Sequence, residues 1–519
     1  MQKRYYITTP IYYVNDNPHI GHAYTTLACD VLARFKRLDD YDVLFLTGTD
    51  EHGQKVQMAA DKAGVSPKEF TDNVSGNFRA LTEQMNFSND YFIRTTEPRH
   101  YESCQKIWNI LMEKGHIFLS AYSGWYSVRD EAFFAESELV DGKAPTGAPV
   151  EWVEEPSYFF NLSKWQQPLL DFYEKHPDFV APESRFNEIK RFVEGGLRDL
   201  SISRTTFDWG VPVPSDPEHV MYVWLDALTN YITAVNWTQS DQSDEGDQGD
   251  QGDFNKWWPA DLHMVGKDIL RFHAVYWPAF LMAAELELPN RIFAHGWWTN
   301  EGEKISKSLG NVIDPLALIE EYGLDQIRYF LMREVPFGRD GDFSKTALMH
   351  RINSDLANDL GNLSQRVLSQ IFNNLEGEIP ALPKQPTQDD TALLEMLSQL
   401  PDSLRDQIDN QSFHEALRLI WAVIAEANRY VDKQAPWALK KTDTSRMSDV
   451  LGVLVEVIRG VSLLTQPFMP DASATLLDQI KVNPDERQFT SLKDMNSLAG
   501  RSIDKPEGVF PRYQLLEDA

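Results

Sequence analysis

Two histidines near the start of the chain, His19 and His22, stand within the segment Pro18-His19-Ile20-Gly21-His22. The segment follows a strand-like run and precedes a helical pattern, which is where an open α/β sheet binds ligands and helix amides favour phosphate. Imidazoles there can donate to phosphate oxygens as charge develops in a transition state. Gly21 would let a nucleotide pack on bare backbone. The spacing predicts nucleotide binding, with ordinary loop histidines or a metal site as alternatives.

A second candidate segment, Lys304-Ile305-Ser306-Lys307-Ser308, lies more than half-way along the chain. Two lysines three residues apart, among serines, suit a mobile loop that closes over a triphosphate. Their charge would stabilise departing pyrophosphate in an in-line displacement. An exposed basic loop is the alternative. The loop follows the second half of a nucleotide-binding pattern whose first half carries the histidines, and this coincidence favours a nucleotide site.

The elements that must position these residues follow an α/β pattern, because short apolar runs alternate with helical stripes. Tyr5–Thr9 and Val43–Thr47 are predicted buried strands, and the helical stripe between them predicts one right-handed βαβ unit. The pattern resumes with a strand-to-helix segment at His219–Thr233, a strand at Asp261–Val265 and a helix at Ile269–Glu285.

The rest of the chain has a different character. Aromatic and polar residues alternate after about residue 117, which predicts a mainly β insertion that ends near residue 216. After about residue 350 the pattern is all-helical. Ser412 and Glu415 predict a capping box, and Pro436 is predicted to end the helix that follows. The buried stripe of that helix is predicted to comprise Phe413, Ala416, Leu417, Ile420, Ile424, Ala427 and Val431.

Composition narrows the class of protein. The net charge is −29, with 49 basic and 78 acidic residues, which argues against a general nucleic-acid coat protein and is neutral for a selective enzyme. The segment 239–253 carries six acidic residues and no basic one, and is predicted to be a solvated loop. Only Cys29 and Cys104 are cysteines, which predicts a cytoplasmic protein without a disulfide framework. We expect neither a signal peptide nor a membrane span.

Together and in this order, the two motifs resemble the nucleotide signatures of class I aminoacyl-tRNA synthetases. The chain resembles the methionyl-tRNA synthetase family over nearly its whole length, although that family usually has Met at the position of Ile305. The resemblance implies that His19, His22, Lys304 and Lys307 are catalytic, and that Mg²⁺ accompanies ATP. The residues it implies for ATP binding are His19, Gly21, His22, Lys267, Asp268, Lys304, Ser306 and Lys307.

The resemblance also implies a methionine pocket, built from Pro10-Ile11-Tyr12-Tyr13, from Trp224–Tyr231 and from Gly266–Trp277. The residues that would enclose the methionine side chain are Ile11, Tyr13, Trp224, Ala227, Leu228, Tyr231, Ile269, His273 and Trp277, and Pro10 would also belong to the methionine-binding site. Asp50 would hold the α-amino group. Aromatic edges suit a polarizable thioether, and Tyr13 and His273 could discriminate through the sulfur. The most studied bacterial pattern has Ala at position 10 and Pro at position 228, and aromatic core packing is the alternative.

In the helical region, Asn362, Arg366 and Trp437 match the family positions that read the anticodon. Stacking and edge hydrogen bonds read unpaired bases, for which these side chains are suited. Many relatives have a zinc knuckle with cysteine pairs in the insertion. This insertion has no cysteine, so we expect no zinc. The chain ends near residue 519 without a further C-terminal domain, which predicts a monomer.

The predicted fold class is therefore α/β, a Rossmann-type parallel sheet split by a mainly β connective insertion and followed by a helical-bundle anticodon-binding domain. The predicted domains are the first half of the catalytic domain at 1–116, the insertion at 117–216, the second half at 217–300, a lysine-loop and stem-contact region at 301–350, and the helical domain at 351–519. The expected reaction joins L-methionine to tRNA(Met), including the initiator, with ATP.

Two rival functions come from other classes. Another α/β nucleotidylyltransferase could share the histidine pair, but it would have no use for a helical bundle with Asn362, Arg366 and Trp437. A synthetase-like binding or regulatory module would not need intact catalytic histidines and lysines. Among synthetases, specificity for isoleucine, valine or leucine usually comes with a large editing insertion, and cysteine recognition usually employs zinc.

Overall fold

The protein is described by a computed structural model that covers residues 3–15, 17–129, 132–134, 136–238, 251–300, 302–304 and 313–514. The chain divides into two compact units. The sheet unit comprises Arg4–Pro18 and Val43–His295, and the helical unit comprises Met1–Lys3, His19–Asp42 and Gly296–Ala519. The predicted domain boundaries stay predictions.

The strands, in chain order, are β1 (Lys3–Thr8), β2 (Tyr12–Tyr13), β3 (Tyr41–Asp50), β4 (Tyr91–Arg94), β5 (Ile117–Ser127), β6 (Ala132–Phe134), β7 (Glu151–Phe160), β8 (Val180–Ala181), β9 (Leu200–Ser201), β10 (Ser203–Arg204), β11 (Pro212–Val213), β12 (Asp216–Met221), β13 (Leu262–Gly266), β14 (Ile292–His295), β15 (Trp298–Asn300), β16 (Glu303–Lys304) and β17 (Gly341–Phe343).

The α-helices are α1 (Ile20–Leu38), α2 (Gln54–Ala63), α3 (Pro67–Gln84), α4 (Pro98–Glu113), α5 (Gln166–Lys175), α6 (Glu183–Glu194), α7 (Val223–Thr233), α8 (Gln251–Trp257), α9 (Trp277–Ala283), α10 (Pro315–Tyr322), α11 (Leu324–Arg333), α12 (Lys345–Arg351), α13 (Asn362–Asn374), α14 (Gln388–Asp409), α15 (Phe413–Gln434), α16 (Pro436–Thr442), α17 (Thr444–Thr465) and α18 (Pro470–Gln479). Two π-helical segments, Phe272–Tyr276 and Ile352–Gly361, immediately precede α9 and α13.

A seven-stranded sheet forms the centre of the sheet unit, in the order β2-β3-β1-β13-β14-β8, with β4 also on β3. The pairs β1/β13, β13/β14, β14/β8, β2/β3 and β3/β4 are parallel. β1 and β13 are neighbours although more than 250 residues separate Ile7 from its partner Leu262. This arrangement confirms the predicted parallel α/β sheet, and the crevice where its strand order reverses is the usual ligand position.

The insertion begins as predicted, with a long antiparallel pair. β5 and β7 run from the pair Ile117 and Phe160 to the pair Tyr126 and Glu151, and β6 and β9 complete a four-stranded sheet. Helices α5 and α6 also lie within the segment predicted to be mainly β, and β8 between them joins the parallel sheet. The sequence pattern did not indicate these three elements.

The C-terminal part of the helical unit is a bundle whose buried stripe in α15 is confirmed, because all seven predicted residues are buried. α15 ends before Pro436 as predicted. The capping box predicted at Ser412 is wrong, since the Ser412 side chain makes no capping hydrogen bond. Glu415 instead accepts from Arg418 Nε at 2.6 Å. Among the helices that the structure describes, none has the length and apolar content needed to span a membrane.

Candidate functional site

The predicted histidine pair lies at the first turn of α1. His19 is the N-cap residue, and its Nδ1 accepts from the Gly21 backbone N–H at 3.0 Å. His22 Nδ1 accepts from the His19 backbone N–H at 3.1 Å, so the two rings close a capping box. The ring centroids are 4.0 Å apart. Two histidines thus perform the role that Ser and Glu usually have at a helix start.

This cap determines which ring nitrogens can donate. Because both Nδ1 atoms accept backbone hydrogens, each neutral ring carries its hydrogen on Nε2. Desolvation, together with the neighbouring His19, lowers the pKa of His22 well below its usual value, so His22 is neutral near pH 7. A Cβ at Gly21 would lie 2.9 Å from His19 Cε1. Glycine at position 21 therefore leaves the space that the capping imidazole occupies.

The lysine loop is described only at its start. The Lys304 backbone belongs to β16 and pairs with Thr299 of β15. Ser306 and Lys307 lie outside the described residues. Their predicted contribution to ATP binding stays a prediction.

Register in the parallel sheet brings together three of the segments predicted to bind methionine. In the β2/β3 pair, Tyr13 is opposite Asp50, and the Val14 N–H donates to the Asp50 carbonyl at 3.1 Å. On the other side of β1, β13 ends at Gly266, immediately before the 3₁₀ turn Lys267–Ile269. Lys267 is half-buried and Asp268 is exposed. Pro10 and Asp50 are buried.

The aromatic residues form one cluster in the sheet unit. Trp224 stacks on Phe272 with ring centroids 3.7 Å apart, and its edge contacts His273. Tyr231 contacts both His273 and Trp277. The predicted pocket residues that belong to or pack against this hydrophobic cluster are Ile11, Tyr13, Trp224, Leu228, Tyr231, Ile269 and Trp277. Ala227 is buried beside them in α7.

The π-helical segment before α9 orients His273, and such segments are frequent at functional sites. His273 Nδ1 donates to the Ile269 carbonyl at 2.9 Å, so its Nε2 accepts from the Tyr231 hydroxyl at 2.7 Å. Burial lowers the pKa of His273 to about 4, against the opposing influence of the Ile269 carbonyl and Asp268. Both ring nitrogens are therefore engaged within the protein, and His273 is neutral at physiological pH.

Asp50 begins a segment whose next two residues are tightly held. The buried Glu51 carboxylate accepts from Arg94 at 2.6 and 2.9 Å and from Thr96 Oγ1 at 2.6 Å. Thr49 Oγ1 donates to Glu51 at 2.8 Å. These bonds attach the end of β3 to the last residue of β4 and to the segment that follows it.

His52 continues this segment and donates through Nδ1 to Asp226 Oδ2 at 2.7 Å, while His100 Nε2 donates to Asp226 Oδ1 at 2.7 Å. The sequence reasoning did not assign roles to these three residues. His52 and Asp226 lie inside the motif segments around Asp50 and Trp224, and a carboxylate in an otherwise apolar helix was the available signal. Nothing in the sequence pointed to His100.

The predicted anticodon residues lie in the helical unit. Asn362 and Arg366 are four residues apart on α13, and Asn362 is exposed. The Arg366 guanidinium lies 5.3 Å from the centre of the Trp437 ring and forms a 2.7 Å ion pair with Asp432. Trp437 is 44% exposed. Arg366 and Trp437 line a groove of about 270 Å³ whose other walls are Gln365, Val367, Ser369, Gln370, Val431, Pro436 and Leu451.

A parallel sheet in an α/β unit and a histidine-capped helix are the features expected of class I aminoacyl-tRNA synthetases. Comparison with known families agrees: a family model described as "tRNA synthetases class I (M)" matches residues 5–151 and 138–368. A second, described as "Anticodon binding domain of methionyl tRNA ligase", matches residues 379–516. The chain therefore belongs to the methionyl family of class I aminoacyl-tRNA synthetases and is a ligase that forms aminoacyl-tRNA.

Individual relatives are similar over their full length. The chain is 55% identical to the methionine–tRNA ligase of Rickettsia felis, covering 99% of each chain. It is 54% identical to that of Brucella suis, covering 99% of this chain and 98% of the relative. Among solved structures, Mycobacterium tuberculosis methionyl-tRNA synthetase bound by methionyl-adenylate matches with a TM-score of 0.93 and 50% identity, over 98% of this chain and all of that one.

Proposed function

We propose that this methionine–tRNA ligase works in two steps, with the site residues assigned below. First, a carboxylate oxygen of L-methionine attacks the α-phosphorus of ATP, and the bond to pyrophosphate breaks. Then the terminal ribose hydroxyl of tRNA(Met), including the initiator, attacks the methionyl carbonyl, and AMP leaves. The observation that carries the proposal is the histidine-capped N-terminus of α1 in a chain with the methionyl pocket segments.

The histidines provide electrostatic stabilisation in this proposal. Each Nδ1 accepts from a backbone N–H, so the hydrogen of each ring is on Nε2, and we assign Nε2–H as the donor to phosphate oxygens. The donors are oriented before substrate arrives, so the transition state gains their interaction without reorganisation. Lys304 and Lys307 would add charge at the departing pyrophosphate, and Gly21, Lys267, Asp268 and Ser306 would complete ATP binding.

Methionine recognition is assigned to the sheet unit. Asp50 would hold the α-amino group, and the residues proposed to enclose the side chain are Ile11, Tyr13, Trp224, Ala227, Leu228, Tyr231, Ile269, His273 and Trp277, with Pro10 also in the methionine-binding site. Both nitrogens of His273 are hydrogen-bonded within the protein. We therefore propose that His273 affects thioether recognition indirectly, by holding the Tyr231 hydroxyl in place. Asn362, Arg366 and Trp437 are proposed to read the anticodon by stacking and edge hydrogen bonds.

Mg²⁺ would enter with the phosphates of ATP as part of the substrate, which matches its usual mode of binding. We propose that no zinc is required, because the insertion contains no cysteine. Activity that disappears with EDTA and returns with magnesium alone would support both statements. A zinc requirement after chelation would refute the second. We further propose a cytoplasmic monomer.

ATP–pyrophosphate exchange measured with each of the twenty amino acids tests the first step. Exchange with methionine and none with leucine is the expected result. No exchange with methionine, or equal exchange with leucine, would refute the function. Lys304→Ala should lower the exchange rate far more than methionine affinity, because its charge acts on the transition state. Equal losses in both would make Lys304 a ground-state binding residue.

A further inference from the structure

Asp226 is a fully buried carboxylate in α7, between pocket residues Trp224 and Ala227. Burial opposes its ionisation, but His52 and His100 outweigh burial and hold the pKa of Asp226 well below its usual range. The side chain is therefore an acceptor only, and both imidazoles donate to it at 2.7 Å. An ionised carboxylate is kept in the core only when such partners satisfy it.

His52 is itself held at both nitrogens. With Nδ1 donating to Asp226, Nε2 accepts from the Tyr101 hydroxyl at 2.9 Å. Burial, and after it the charge of Asp226, raises the pKa of Tyr101, so this hydroxyl keeps its hydrogen and donates. The ring also packs edge-on against Trp209, whose Nε1 donates to the Glu51 carbonyl at 2.6 Å. His52 has one orientation in which all these bonds form.

The two partners of Asp226 connect it to different places. His52 lies two residues after Asp50, in the segment at the end of β3. His100 lies in the first turn of α4 and bonds to Thr233 Oγ1, also in α7, at 3.2 Å. The His52 bond therefore joins the segment of Asp50 to the helix of Trp224 and Leu228, whereas the His100 bond joins α4 to α7.

We infer that Asp226 and His52 are positioning residues, which hold the carboxylate for the substrate α-amino group at a fixed distance from the side-chain pocket. The inference rests on the proposed methionine site. A substrate that contacts both the Asp50 carboxylate and the side-chain pocket binds more tightly when their separation is fixed. The entropy cost of ordering the site is then met during folding and not during binding. Loss of the His52 bond should weaken recognition of the amino group specifically.

The same side chains have the types of a metal site, since ligand atoms of His100, Cys104 and Asp226 lie within 4.8 Å of one another. The hydrogen bonds speak against that use. The Nε2–H of His100 donates to Asp226. Burial, with Asp226 nearby, raises the pKa of Cys104, so that the thiol stays protonated. A metal ligand would need both protons removed.

The test compares two matched variants, His52→Ala and His100→Ala, each of which removes one buried donor to Asp226. Calorimetry would give dissociation constants for methionine and for 4-(methylsulfanyl)butanoate, which is methionine without its α-amino group. The dissociation constant of the analogue divided by that of methionine measures how much the amino contact contributes to binding. We expect His52→Ala to reduce this ratio about tenfold, and His100→Ala to change it by less than about twofold. Tyr101→Phe removes only the hydrogen bond to His52 Nε2, so it should also reduce the ratio, but by less.

An unchanged ratio in His52→Ala, or an equal fall in His100→Ala, would overturn the inference and leave the cluster as core packing. Stoichiometric zinc in the purified protein, lost in Cys104→Ser, would also overturn it. If the unaltered protein does not bind methionine, the proposed function itself fails. That result differs from a failure of this inference, in which the unaltered protein binds methionine and only the comparison of the variants disagrees. Should His52→Ala not fold, Tyr101→Phe carries the same test.

Discussion

Arg328 and Asp30 form an ion pair with both side chains fully buried, and the guanidinium Nη2 lies 2.6 Å from the carboxylate Oδ2. Arg328 also donates to the backbone carbonyls of Pro467 and Phe468 at 2.9 and 3.0 Å. Arg34 donates to the same Asp30 oxygen at 2.8 Å. The helix that His19 caps, α1, is thus held at its middle to α11 and to the turn before α18.

Asp30→Asn should lower the free energy of unfolding by about 3–5 kcal/mol, because it leaves two arginines without their buried carboxylate. Urea titration of unfolding measures this. Arg405→Gln is the control, since Arg405 pairs with Asp39 at 2.6 Å but is 38% exposed, and it should cost under about 1 kcal/mol. Equal losses in the two variants would contradict the structural importance assigned to Asp30.

His19→Asn should separate catalysis from helix capping. Asparagine is a favoured N-cap residue, so α1 should keep its start, while the imidazole donor to phosphate is lost. The rate of exchange should fall about 10²–10³-fold with unfolding stability nearly unchanged. His19→Ala should lose the same rate and about 1 kcal/mol of stability in addition. Full activity in His19→Asn would show that capping is the only role of this histidine.

Because His273 is neutral in the folded protein, the free energy of unfolding should fall as the pH is lowered below neutrality. Its pKa of about 4 in the folded protein lies below the unfolded value of about 6.5, so the unfolded chain takes up the proton first. The stability from this group is complete above about pH 6.5 and is lost as the pH falls towards about 4. Between pH 7.5 and 5 it should account for about 2 kcal/mol.

His273→Gln lacks this titration and should lose about 2 kcal/mol less than the unaltered protein over the same interval. Urea unfolding at the two pH values gives both numbers, and carboxylates contribute alike to both proteins. Parallel pH dependences would mean that folding does not lower the pKa of His273.

Trp437→Ala should impair tRNA charging and leave ATP–pyrophosphate exchange intact. One stacked base is worth about 1–3 kcal/mol, so the KM for tRNA should rise about five- to 150-fold. Phe372→Ala provides a control, because Phe372 is a similarly exposed aromatic residue on α13 that does not line the groove. Parallel loss of exchange in Trp437→Ala would contradict an anticodon role.

Much of the fold could be predicted because it depends on local pattern. The strand before His19, the stripe of α15 and the strand at Leu262 all follow from periodicity that a single segment displays. The residues proposed for the site were found through motifs with fixed spacing. Helices α5 and α6 were missed because their segment mixes aromatic and polar residues, and the Ser412 cap was wrong because Glu415 has a stronger partner in Arg418.

The sequence by itself determined which residues are available for chemistry, namely a histidine pair, a lysine pair and an aromatic set, and the order in which they come. Only the tertiary structure decided their chemical state. The hydrogen on Nε2 of His19, the neutral ring of His273 and the ionised carboxylate of Asp226 each depend on partners that folding supplies. Asp226 meets His52 across 174 residues of chain. Burial and hydrogen bonding act through space, so no local pattern encodes them.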